Sequence, residues 1–153
     1  MSGTKTDRKR TRNQISTFAA LGLFARPPGD PERLPALPRL DDAEAPVAER
    51  ARAYLHVNCS HCHRPEGTGR GTADLRFTTA DQSLGICNMQ PLTVDPQRPH
   101  ARLLIPGKPE DSMILRRMEA ESLERMPPVG SKSADPAGLE LITDWIDSLT
   151  GCE

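Results

Sequence analysis

The stretch of this sequence best suited to do chemistry is Cys59-Ser60-His61-Cys62-His63. Two thiols three residues apart on one helical turn can reach the two vinyl groups of a single haem, and the adjacent His63 can then present its imidazole to the iron. Thioethers at Cys59 and Cys62 would make one haem c irremovable. The competing chemistry is zinc binding, in which Cys59 and Cys62 would be half of a tetrahedral ligand set. A second close pair is wanting: Cys87 and Cys152 lie far apart with no Cys or His beside either, although His56 and His61 are near enough to join. A thioredoxin-like redox pair would need alternating strands and helices around it, and that pattern is missing.

A sixth iron ligand must come from elsewhere in the chain. The candidates are Met89, Met113, Met118, Met126, His56, His61 and His100. Met113 and Met118 fall on a predicted helix face, where methionine usually fills core space. Met89 precedes Pro91 in a loop that carries no pattern. His56 and His61 are too close to the attachment turn to reach the opposite haem face. Met126 sits in Arg125-Met126-Pro127-Pro128-Val129-Gly130, where two prolines stiffen the backbone and lower the cost of holding a thioether in place. Met126 is therefore the expected sixth ligand, with His100, as half of a bis-histidine site, the alternative.

The elements that must position these groups read as helices joined by long loops. Residues 46–58 form the first helix of the compact part: Pro46 suits a first helical position, and Val47, Ala51, Tyr54 and Leu55 recur at helical spacing. Residues 136–149 form the last, with Asp135 as cap, Pro136 as opener, an apolar stripe of Leu139, Ile142, Trp145, Ile146 and Leu149, and Gly151 as stop. A weaker helix covers 111–120, with Met113, Ile114 and Met118 inward. Residues 14–24 could form a short amphipathic helix with Ile15, Phe18, Ala19 and Leu23 on one face. Six prolines between residues 26 and 46 predict an extended linker. The expected organisation is an arm (1–25), a Pro-rich linker (26–46) and one domain (47–153). No convincing alternating strand pattern is present, so the fold class is all-α.

Aromatic residues make up 3% of the 153 residues and hydrophobic residues 36%, a thin supply for a core, which buried cofactor faces would supplement. Basic and acidic residues number 20 and 21, so no nucleic acid or other polyanionic partner is implied. No stretch is long and apolar enough for a transmembrane segment. No signal peptide is legible after the basic start, because no small-residue cleavage site follows Ile15 to Phe24.

Residues 47–149 resemble a class I cytochrome c domain. The matching pieces are Tyr54-Leu55-His56-Val57-Asn58 running into the Cys59–His63 motif, the Met126-Pro127-Pro128 loop, and the last helix around Trp145-Ile146. More narrowly, Pro106-Gly107-Lys108-Pro109-Glu110-Asp111-Ser112 resembles a stretch that precedes the middle helix in bacterial monohaem domains. Arg64 departs from the pattern, since many class I cytochromes place glycine there, and it puts the local turn in question. The resemblance implies a cytochrome c-like fold in which the first and last helices cross and pack around one mostly buried haem with an exposed edge. It also implies that the domain closes a longer secreted protein.

Haem attachment of this kind occurs outside the cytoplasm, so a periplasmic or other extracytoplasmic location is expected, and with it a longer precursor that carries the export signal. In that oxidising setting a Cys87–Cys152 disulfide is expected, against two free thiols or a bond to another chain. Arg76 and Arg102 could pair with haem propionates, or could be ordinary surface residues. The expected function is electron transfer by a His63/Met126-ligated haem, to or from a redox partner protein or an attached enzyme domain. The alternative is a haem enzyme or gas sensor with an open or displaceable sixth site.

Overall fold

The computed structural model describes residues 13–93 and 95–152. The chain divides into two compact units, Met1–Ala36 and Leu37–Glu153. Among the described residues there are four α-helices and no strand: α1 (Gln14–Ala20), α2 (Val47–Cys59), α3 (Met113–Glu119) and α4 (Pro136–Ser148). The all-α class is thus what the structure shows. None of these helices is long and apolar enough to cross a membrane.

In the first unit, the Asn13 side chain caps α1 by accepting from the Ile15 and Ser16 amides at 2.9 and 3.4 Å. The helix stops at Ala20 instead of continuing to residue 24. Gly22 takes φ +70°, and the Gly22 and Leu23 amides turn back onto the Ala19 and Phe18 carbonyls, both at 3.0 Å. That glycine-centred cap satisfies the last carbonyls and ends the helix. No residue of α1 is buried, and of the expected amphipathic face Phe18 meets the Phe24 ring edge-on, with centroids 6.5 Å apart.

The second unit begins ten residues ahead of Val47. Leu40 packs on the core, and the Arg50 guanidinium, one turn into α2, donates to the Leu40 and Ala45 carbonyls at 3.0 and 3.2 Å. The expected linker is therefore only partly a linker: its second half is bound into the compact unit, and its first half carries a short 3-10 turn at Pro31–Arg33. Pro46 stands at the N-cap of α2, one position before the helix starts.

The core lies where α2, α3 and α4 meet. From α2 come Ala51 and Leu55, from α3 Leu115 and Met118, and from α4 Leu141, Ile142, Trp145 and Ile146. Each large apolar side chain buried here contributes roughly 1.5–3 kcal/mol. Helices α2 and α4 pack closely at Tyr54 and Gly138, where a β-carbon on residue 138 would overlap the tyrosine ring and hydroxyl. The Asp135 carboxylate does not cap α4 as expected; it accepts from the Tyr54 hydroxyl at 3.1 Å instead. Ahead of α3, the Ser112 hydroxyl is wholly buried, donating to the Lys108 carbonyl (2.8 Å) and accepting from the Ile105 amide (2.9 Å). This knot takes residues 109–111 into a 3-10 turn, so α3 starts at Met113, two residues later than its sequence pattern suggests.

Candidate functional site

The Cys59–His63 segment is a continuation of α2. The Ser60 amide still bonds back to Leu55 and His56, and the Cys59 carbonyl accepts from both the Cys62 amide (3.1 Å) and the His63 amide (2.9 Å). Spacings of three and four along such a turn bring Cys59, Cys62 and His63 to one side. The following loop is tied to the same turn: the Gly69 amide donates to the Cys62 carbonyl and the Leu75 amide to the His63 carbonyl, each at 2.9 Å. Gly69 is required by closeness, since a β-carbon there would stand 2.8 Å from His63 Nδ1 and 3.0 Å from Cε1. At Gly67 a β-carbon would overlap the Cys62 carbonyl. Arg64 does not disturb the turn, because the left-handed residue is Glu66 (φ 60°), not Arg64.

Both thiols are free and half-buried. Burial, with Cys62 beside it, pushes the Cys59 thiol up to about 11, so it stays protonated at neutral pH. Burial, with His61 as a lesser cause, lowers the His63 pKa and favours neutral imidazole. His63 Nδ1 is buried without a hydrogen-bond partner. Imidazole in this state is a nitrogen donor not committed to a structural hydrogen bond. Two free thiols can add to carbon–carbon double bonds.

Met126 lies on the loop between α3 and α4. It is 37% exposed, and its amide donates to the Arg117 carbonyl at 2.8 Å. Met113 and Met118 are buried on α3, as their helical spacing suggests. Met89 is largely exposed. His100 and His61 are exposed, and His56 Nδ1 meets the Ser60 hydroxyl at 3.0 Å. The two arginines considered for propionates already have partners. Arg76 donates to both Asp74 carboxylate oxygens (2.9 and 2.6 Å), and Arg102 to the Ala101 and His100 carbonyls (2.9 and 3.0 Å).

Cys87 and Cys152 form a disulfide, with their Cα atoms 5.7 Å apart, and so are not ligands. Among the described residues no three His, Cys, Asp or Glu side chains gather where they could hold a metal ion.

The sequence patterns passed over Arg52. It is buried on the inner side of α2, and its guanidinium donates to the Asp81 carboxylate and to the carbonyls of Arg76 (3.0 Å) and Thr79. It thereby holds residues 76–81, which follow the loop after the Cys59–His63 turn. Its position three residues before Leu55 and seven before Cys59, on the buried side, was the available signal. Gly67 and Gly69 were also unremarked, and so were the arginines that frame Met126.

No family model matches this chain, and neither does any curated protein or solved structure.

Proposed function

We propose that this chain binds one haem c through thioethers at Cys59 and Cys62, with His63 and Met126 as axial ligands, and that it transfers single electrons as a class I cytochrome c domain would. One observation carries the reading: two free thiols, Cys59 and Cys62, and a neutral, uncommitted imidazole share one turn at the end of a helix locked into the core. Each thiol adds across one vinyl group, its sulfur to one carbon and its hydrogen to the other, so no oxidant is consumed. When bound, the haem supplies a one-electron iron couple.

The residues present fit that group better than zinc. A tetrahedral zinc site wants four donors, and the other two cysteines are joined to each other, while among the described residues no three His, Cys, Asp or Glu side chains gather where they could hold a metal ion. The close packing of α2 on α4 supports a cytochrome c-like arrangement. So do the large apolar side chains left exposed at Met89, Leu92 and Met126, since an apolar cofactor could cover such surface. Met126 would supply a thioether to the iron, and a site so filled would favour electron transfer over substrate chemistry. The Cys87–Cys152 disulfide supports an extracytoplasmic location. The counterpart is a redox protein or an attached enzyme domain.

The test is to mature the chain in a host that exports and assembles c-type cytochromes, then to record oxidised and reduced spectra. The expected protein retains haem after denaturation and shows a thioether-to-iron band that is lost in Met126→Ala. Replacing both Cys59 and Cys62 with Ala should abolish covalent retention. High-spin haem in the parent would move the reading to catalysis or gas sensing, and a colourless protein containing zinc would overturn it.

A further inference from the structure

The loop that carries Met126 has no helix or strand to hold it, yet its backbone is fixed on both sides of the methionine. On the N-terminal side, the Met126 amide donates to the Arg117 carbonyl at 2.8 Å, and the Arg117 guanidinium donates to the Glu124 carbonyl at 2.9 Å. These bonds tie residues 124–126 to the last turn of α3. On the C-terminal side, the Arg125 guanidinium reaches over the loop to the Ser131 hydroxyl (2.6 Å) and the Ser133 carbonyl (2.8 Å). Between these anchors lie Pro127 and Pro128, and Gly130 at φ +88°. Arg125 and Ser133 are thus the two ends of a closed loop with Met126 on it.

We infer that Arg125 is a positioning residue for the sixth ligand: by gripping Ser131 and Ser133 it sets how readily Met126 leaves the iron. This rests on the reading of Met126 as that ligand. A thioether is a weak donor, so its occupancy of the iron depends on how little freedom the loop regains when the bond breaks. The two prolines and the arginine clamp act together. The prolines restrict the residues next to Met126, and the clamp restricts where that rigid piece points. With the clamp released, an added base competes for the iron against a loop with more states to occupy.

The experiment uses the full haem-loaded chain and imidazole as the competing base, followed by loss of the thioether band in the oxidised protein. Arg125→Ala should bind imidazole about tenfold more tightly than the parent, the equivalent of losing one well-placed charge-assisted contact. Both contacts come from the single nitrogen Nη2, so Arg125→Lys keeps the charge but offers its donor from a shorter side chain and should fall between them. Ser131→Ala removes one exposed hydroxyl, cannot threaten folding, and should give a rise of about threefold. Thermal unfolding of each variant separates the effects, because a residue with a merely structural role would lower the melting temperature without altering imidazole affinity. If both Arg125→Ala and Ser131→Ala bind imidazole as the parent does, the clamp has no bearing on the ligand and the inference is wrong. A parent spectrum without a thioether band fails earlier, at Met126 itself, and takes the clamp with it.

Discussion

The Cys59–His63 turn, proposed to attach the haem, and the Met126 loop are built in opposite ways. The first closes a helix whose inner side buries Ala51, Arg52, Ala53 and Leu55 and packs against α4. The second runs from Ala120 to Asp135 without regular structure, leaves Leu123, Met126 and Val129 exposed, and is held by polar contacts from Arg117 and Arg125. Burial fixes the geometry of one side, and a few hydrogen bonds fix the other. A substitution on the attachment side should therefore be read mainly in stability. One on the loop should be read mainly in ligand exchange.

The largest contrast should come from two truncations to alanine. Trp145, at 4% exposure in the α4 core, should cost about 3–5 kcal/mol when cut to Ala. Val129, at 71% exposure beside Met126, should cost within about 0.5 kcal/mol. Denaturant unfolding of the two variants measures both. Equal costs would mean that the loop is packed, and the contrast would collapse.

The disulfide offers an intermediate case, because it braces the core side and takes no residue from the Cys59–His63 turn or the Met126 loop. It joins Cys87, which pairs with Leu104, to Cys152 just past α4, across 65 residues of chain. Replacing both cysteines with Ser should lower stability by about 2–4 kcal/mol, chiefly by freeing the unfolded chain. The thioether band and imidazole affinity should not change. A changed band would show that the brace also governs the methionine side.

This division also explains what the sequence could convey. The Cys59, Cys62 and His63 set is legible as a candidate because its members are close in sequence, and contiguity is what a sequence displays directly. The three helices of the second unit are legible because apolar spacing repeats along Ala51 and Leu55, and along Ile142, Trp145 and Ile146. Arg52 was not, since a cation on a helix reads as surface unless its distant partners, Asp81 and the carbonyls of 76 and 79, are known. The same holds for Gly138, whose reason is a tyrosine 84 positions away on α2. The docking of residues 37–46 was hidden because prolines announce extended backbone and say nothing of what it lies against. The clamp at Arg125 was hidden because its contacts are between loop residues, where no period exists to betray them.

The smallest predicted effect tests whether the attachment side is also held electrostatically. Asp74 is 8% exposed and lies just before Leu75, whose amide bonds the His63 carbonyl. The Arg76 guanidinium donates to both of its oxygens, and this holds its carboxyl well below the usual carboxylate range. In the unfolded chain that pairing is lost and Asp74 takes up a proton near pH 4. As pH falls below about 4, the unfolded state binds the proton first, so the stability Asp74 contributes is present above that pH and is lost progressively beneath it. Asp74→Asn removes the titration. Its unfolding midpoint should be lower than the parent's at neutral pH, with the gap narrowing as the pH falls from about 4 towards 2. A gap that stays constant through that range would mean that Arg76 adds only local geometry, and that burial alone holds the attachment side.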